Sequence, residues 1–224
     1  MSKHKITPND LYQIEPQTEN QGKVFKLWDE GENLILAGSA GTGKTFVALY
    51  LALDEMLNEP EYDKIIIVRS IVSVREIGYL PGKLEEKTAV FETPYRMICD
   101  ELFDGSAAYN KMINSHQIQF ETTSYIRGKT FDRAIIVVDE MQNLNFHELD
   151  SIMTRVGENC RIIFAGDYLQ SDFKSDGEKD GLMKFLNIIE RMSSFSMVQF
   201  GWGDIVRSGI VRDYIMTKEM MGLK

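Results

Sequence analysis

The sequence predicts an α/β domain built on a mainly parallel central sheet with helices on its faces. Three observations carry this prediction. Five short aliphatic runs recur along the chain with helical stretches between them. Each run is apolar at consecutive positions rather than alternating, as strands buried on both faces are. Each also ends in glycine or a charged residue, at the carboxyl edge where an open α/β sheet holds its ligand.

The first run, residues 33–37, leads into Gly38. Residues 45–57 then show helical spacing through Val47, Leu49, Leu51, Leu53, Met56 and Leu57. The second run, 64–68, leads into Arg69. Residues 71–128 break the rhythm and read as an insertion at the ligand edge. The third run, 133–138, delivers Asp139, and a helix is expected over 142–156. The fourth, 161–165, ends in Gly166-Asp167 and is followed by an expected helix over 182–192. The fifth, 196–200, ends in Gly201. An amphipathic helix is expected over 206–220, with Val206, Ile210, Val211, Tyr214 and Ile215 on one side. There is no internal repeat, and residues 1–224 read as one domain.

Composition narrows the function classes. With 224 residues, 43% hydrophobic and 26% charged, the chain can bury a real core, which excludes disorder, collagen and coiled coil. Its net charge of −9 excludes a protein that coats nucleic acid by bulk charge alone. Residues 69–130 are neutral, however, so a local nucleic-acid track stays compatible with the acidic whole. Cys99 and Cys160 form no C-x-x-C pair and read as buried reduced thiols. His4, His116 and His147 show no metal-ligand spacing. The N-terminus lacks a signal-peptide apolar stretch, and the longest aliphatic runs are four residues. A bilayer span needs about 18. A cytoplasmic protein without membrane contact is therefore expected.

The chemistry lies in three loops. Gly38-Ser39-Ala40-Gly41-Thr42-Gly43-Lys44-Thr45 matches G-x-x-x-x-G-K-[ST] between a strand and a helix, the context a phosphate-binding P-loop requires. Its glycines let backbone N–H groups turn toward phosphate oxygens, and the helix N-terminus adds its dipole. Lys44 is read as reaching the β- and γ-phosphates, and the Thr45 hydroxyl as a Mg²⁺ ligand. Asp139-Glu140 ends an aliphatic strand, as a Walker B pair does. Asp139 is read as serving the Mg²⁺ shell and Glu140 as polarising the attacking water. A signalling GTPase orients that water with glutamine, so the adjacent acid points to an ATPase. Gly166-Asp167-Tyr-Leu-Gln170 follows the next strand; Gln170 is read as a γ-phosphate sensor and Asp167 as an organiser of its loop.

Together these residues resemble the PhoH family of P-loop ATPases, related to the ATP-binding core of superfamily 1 helicases. The most specific similarity is Ile77-Gly-Tyr-Leu-Pro-Gly-Lys-Leu-Glu-Glu-Lys87, close to the family's G-[FY]-L-P-G-x-L-x-E-K. Arg127-Gly-Lys-Thr130, Asp139-Glu-Met-Gln-Asn143, Gly166-Asp-Tyr-Leu-Gln-Ser-Asp172 and Asp204-Ile-Val-Arg207 add to it. Met141 departs from the usual alanine, Val68-Arg69-Ser70 stands where T-R-P is expected, and Ser208 stands where histidine often follows.

The resemblance implies a single RecA-like domain with strand order 5-1-4-3-2, counting the five runs in sequence. It implies an ATPase using ATP and Mg²⁺, coupled to binding or helicase-like remodelling of single-stranded RNA or DNA. The alternative is a nucleotide-dependent ring-assembly or regulatory module without nucleic acid. Gln21 aligns with a helicase glutamine that reads adenine, and Gln142 with one that couples the γ-phosphate to the nucleic-acid side. Arg207 and Arg212 are candidate arginine fingers, Arg207 the stronger. Donation from a neighbouring subunit is favoured, which implies a homo-oligomer, a hexameric ring by analogy. Arg69, Arg127 and Lys129 are candidate contacts to nucleic-acid phosphates. Tyr79 and Phe91 are read as packing residues rather than as base-stacking ones.

Overall fold

A computed structural model describes residues 6–70, 84–104, 107–123, 125–126, 128–167 and 176–222. Among these residues six strands form one sheet: β1 (Asn33–Gly38), β2 (Lys64–Arg69), β3 (Ile118–Thr122), β4 (Ala134–Asp139), β5 (Cys160–Gly166) and β6 (Phe195–Phe200). Their order is β3-β2-β4-β5-β1-β6, and every pairing is parallel. The five expected strands keep their expected order. The sheet differs from that expectation by β3, an added edge strand beside β2 that comes from within residues 71–128. In β3 the apolar residues alternate with Gln119 and Glu121, so it lacks the continuous apolar run that marks β1, β2, β4 and β5.

Among the described residues the helices are α1 (Glu19–Asp29), α2 (Lys44–Asn58), α3 (Leu84–Leu102), α4 (Ala108–Asn114), α5 (Phe146–Met153), α6 (Asp176–Ile189) and α7 (Gly209–Met220). Side chains alternate across a strand. Leu34, Leu36, Ile65, Ile67, Ile135, Val137 and Ile163 therefore face α1, α2, α3 and α4. Ile35, Ile66, Val68, Ile136, Val138 and Phe164 face α5 and α6. Both faces are buried, which is why the strands read as unbroken aliphatic runs. Each such side chain contributes about 1.5–3 kcal/mol by leaving water.

Local chemistry sets the helix ends. Thr18 caps α1 by accepting from the Gln21 N–H. At the start of α5, Asn145 and Glu148 form a reciprocal capping box. That cap explains why the helix expected from 142 begins at Phe146, with a tight 3-10 turn over Met141–Asn143 before it. The helix expected from 206 begins at Gly209, because Ser208 is extended at ψ 153° and stands as its N-cap; Val206, whose N–H donates to the Gly41 carbonyl at 3.0 Å, lies before it. The apolar side expected on this helix is not buried: Ile210 is 80% exposed and Tyr214 69%.

At the sheet edge opposite the carboxyl ends, Arg161 ties α1, α2 and β5 together. It donates to Glu55 at 2.5 Å and to the carbonyls of Trp28 and Glu32 at 2.7 and 2.8 Å. Its guanidinium lies 3.3 Å from the centre of the Trp28 ring. Cys99 is fully buried and Cys160 half-buried, and both are free. No described helix is long and apolar enough to cross a membrane.

Candidate functional site

The carboxyl ends of β1, β4 and β5 converge with the N-terminus of α2. Between β1 and α2 the chain turns through Gly38, Gly41 and Gly43 at φ +129°, +72° and +81°, conformations that disfavour other residues. Gly38 is constrained by its neighbour as well: a Cβ there would sit 2.0 Å from the Phe200 carbonyl oxygen of β6. Ser39 and Thr42 are buried, and the Thr42 hydroxyl donates to the Ser39 carbonyl at 3.0 Å. Ala40 is half-buried on the same turn.

Lys44 folds back across this loop. Its Nζ donates to the carbonyls of Gly38 at 2.8 Å and Ser39 at 2.6 Å, and to the Thr42 hydroxyl at 3.3 Å. Burial pushes its pKa down, against the pull of Asp167, Glu140, Asp139 and Glu219. A buried cation whose direct partners are three neutral oxygens is suited to an added anion.

The two expected halves of the site touch. The Thr45 hydroxyl donates to Asp139 Oδ1 at 2.8 Å, joining the first turn of α2 to the end of β4. Asp139 is 3% exposed. Its other oxygen, Oδ2, accepts from the Tyr95 hydroxyl of α3 at 2.8 Å. Burial and the Asp139 charge push the Tyr95 phenol far up, so it stays a donor. Glu140 adopts the left-handed conformation at φ +54°, rare outside glycine, where the chain leaves β4. Backbone strain of this kind, of order 1–3 kcal/mol, gathers at functional sites.

Gln142 links Glu140 to β5. Its Nε2 donates to Glu140, and its Oε1 accepts from the Asp167 N–H at 3.0 Å. Gly166 makes room for this, since a Cβ there would lie 2.3 Å from Gln142 Oε1. Arg69, opposite Asp139 in the β2–β4 register, approaches Glu140 Oε1 at 4.0 Å. Lys129 is bound away from these acids, to Glu121 at the end of β3 at 2.6 Å. Gln21 is 4% exposed; its Nε2 donates to the Thr42 carbonyl at 3.1 Å and its Oε1 accepts from the Gln17 N–H at 2.8 Å. It thus braces the loop from behind. Gln170, Arg127 and Tyr79 lie outside the described residues.

The C-terminal segment covers the outer side of the loop. Gly41 lies against the Arg207 stem and Ile215, within 3.0 and 3.2 Å of where a Cβ would stand. The Ser39 hydroxyl donates to Glu219 at 3.1 Å, and the Trp202 indole N–H donates to the same carboxylate. A cavity of about 990 Å³ opens beside Ser39, bordered by Gln17, Asn20, Trp202, Asp204 and Glu219. Arg212 is an exposed residue of α7.

Sequence reasoning missed Tyr95, Trp202 and Glu219. Each is a lone residue in a helix or turn with no motif around it, and only the tertiary fold brings it to the loop. Among the described residues no group of three or more His, Cys, Asp or Glu is arranged as a metal site. The donor set of one carboxylate and one hydroxyl suits a cation that completes its shell with phosphates and water, as Mg²⁺ does.

Comparison with known proteins bears on the family and the fold. The chain is 31% identical over 206 residues to a PhoH-like protein of Mycobacterium leprae, covering 90% of this chain and 57% of that one. It is 32% identical over 203 residues to protein PhoH of Escherichia coli, with the same shares. It therefore spans little more than half the length of these relatives. Among solved structures, the large terminase of a thermophilic bacteriophage superposes with a TM-score of 0.52 at 16% identity. That match covers 92% of this chain and 50% of the terminase, a likeness of fold alone. The family model described as PhoH-like protein matches residues 13–219. The chain, a single RecA-like α/β domain, belongs to the PhoH family.

Proposed function

We propose that this domain binds ATP on the 38–45 loop and hydrolyses it with Mg²⁺, coupling turnover to single-stranded RNA or DNA. One observation supports this above the others: the Thr45 hydroxyl and the Asp139 carboxylate meet at 2.8 Å, so loop and acid strand share one ligand position. In this reading the amides from Ser39 to Thr45 cradle the phosphates, and Lys44 leaves its backbone carbonyls for phosphate oxygens. Thr45 and Asp139 hold the Mg²⁺, which when bound neutralises charge on the β- and γ-oxygens. Glu140, next to Asp139 and bonded to Gln142, orients and deprotonates the attacking water. Gln170 senses the γ-phosphate, and Gln21 aligns the loop and contributes to base selection.

Arg207 belongs to the same proposal as the residue that meets charge developing on the phosphates. Its stem lies against Gly41 of its own chain, which favours action within one chain. A hexameric ring is then not required to bring it there. Arg69 sits beside Glu140, and we assign it to the junction between the acids and a bound strand; Arg127 and Lys129 extend that track. A cytoplasmic site of action completes the reading.

The second reading, a nucleotide-dependent regulatory or assembly module, is favoured by α7. It touches the phosphate loop through Ile215 and Glu219 and leaves Ile210 and Tyr214 exposed. The deciding experiment is ATP turnover by the full chain with and without single-stranded RNA and DNA, beside Glu140→Gln. The expected result is stimulation by a single strand, with Glu140→Gln binding ATP normally and losing about 10²–10⁴-fold in rate. No ATP binding by the unaltered chain refutes the proposal. Turnover indifferent to every strand removes its nucleic-acid half and supports the second reading.

A further inference from the structure

Helix α3 contributes to the floor of the site a residue that the proposed function does not use. Tyr95, 1% exposed, donates to Asp139 Oδ2 while Thr45 donates to Oδ1, both at 2.8 Å. The carboxylate is therefore clamped at both oxygens by donors from two different helices. Rotation of its plane would break both bonds. The guanidinium of Arg69 is close enough to interact with the Tyr95 phenol, and it reaches toward Glu140 at 4.0 Å. The same guanidinium lies 5.9 Å from the ring centre of Phe91. Phe91 and Tyr95 are four positions apart and so share one face of α3. That face meets Asp139 directly through Tyr95, and Glu140 indirectly through Phe91 and Arg69.

We propose that Tyr95 is a positioning residue that fixes the Asp139 carboxylate, and that with Arg69 of β2 it lets α3 set both acids. The inference rests on the reading of Asp139 as the metal-side acid. A partner that orients a ligating carboxylate typically changes metal affinity by about 10–100-fold when lost. Tyr95→Phe removes one hydroxyl and keeps the ring beside Phe120, whose centre is 5.9 Å away. Arg69→Gln removes the charge and keeps the phenol.

The test is Mn²⁺ binding to the full chain in the presence of ADP, read by electron paramagnetic resonance of free Mn²⁺. Metal-free ADP binding is measured beside it by calorimetry in chelator. Tyr95→Phe is expected to weaken Mn²⁺ binding about 10-fold while metal-free ADP binding stays within about twofold. Arg69→Gln, which removes a cation facing both Asp139 and Glu140, is expected to lower kcat about 10-fold at saturating Mg²⁺. Mn²⁺ binding that Tyr95→Phe leaves within about twofold overturns the role of Tyr95 alone. Equal loss of metal-free ADP binding makes Tyr95 a residue of the general fold and overturns it too. No ADP-linked Mn²⁺ binding by the unaltered chain overturns the metal-site reading and this inference with it.

Discussion

Gly38→Ala separates two reasons for a glycine at the head of the phosphate loop. The motif asks for glycine so that the backbone can turn toward a phosphate. The structure adds a demand that exists without any ligand. At φ +129° an alanine Cβ would stand 2.0 Å from the Phe200 carbonyl oxygen, 2.8 Å from its carbon and 2.9 Å from the Phe200 nitrogen. These are backbone atoms of the adjacent strand and cannot rotate away. Restoring ordinary contact requires β1 and β6 to part by about 1.4 Å at this end. That opens the bond from the Ser39 N–H to the Phe200 carbonyl, now 3.2 Å, which is worth about 1 kcal/mol. Strain at the residue itself adds about 1–3 kcal/mol. The expected loss is about 3 kcal/mol, a fall in Tm of about 6–12 °C for a chain of this size. Gly31→Ala is the control: φ is +88°, but nothing lies within 4 Å, so only the strain of the left-handed backbone remains, about 1–2 kcal/mol. Thermal unfolding of the ligand-free chain by circular dichroism reads both. If Gly38→Ala melts no lower than Gly31→Ala, the contact with β6 is not what constrains this position.

Two further expectations concern the frame around the site. Arg161→Ala strands Glu55, which is 15% exposed, without its cation, and costs about 3–5 kcal/mol. Arg161→Met with Glu55→Leu should recover most of that in urea unfolding; a double variant as unstable as the single one contradicts the buried-pair account. Asp204 supplies a pH signature. Its burial raises the carboxyl pKa, but hydrogen bonds from Asn20 and the Gly201 N–H outweigh it and leave the pKa below its ordinary value. The folded chain then binds fewer protons there than the unfolded chain, so the stabilisation is present above about pH 4 and fades as pH falls through the lowered value. The difference in urea midpoint between the unaltered chain and Asp204→Asn should shrink below about pH 4. A difference constant from neutral to acid pH sinks this assignment.

Much of the fold was legible because burial on two faces leaves a local trace. The runs ending at Gly38, Arg69, Asp139 and Gly166 are apolar at consecutive positions, and these and the more mixed run before Gly201 are strands at the expected places in the sheet. β3 was not legible as an apolar run, because Gln119 and Glu121 alternate with its apolar residues. The length of α7 was overread because Val206 has helical spacing but Ser208 leaves the helical backbone at ψ 153°. Of the candidate site, the loop and the acid pair were visible as contiguous motifs. Gln142 was visible through resemblance, while its bond to the Asp167 N–H was not.

The sequence by itself determined the strand-and-helix rhythm, the glycine-rich turn before α2, and the acid pair that ends β4. All three depend on residues within one turn or one strand of each other, where backbone conformation and hydrophobic period act locally. Only the tertiary structure decided that Thr45 meets Asp139, that Tyr95 holds the far oxygen of that carboxylate, that Gly38 lies against Phe200, and that Glu219 reaches Ser39. Those pairs are separated by 94, 44, 162 and 180 positions. Nothing local records them, because a contact between distant segments is set by how the sheet is ordered and by which face each helix buries.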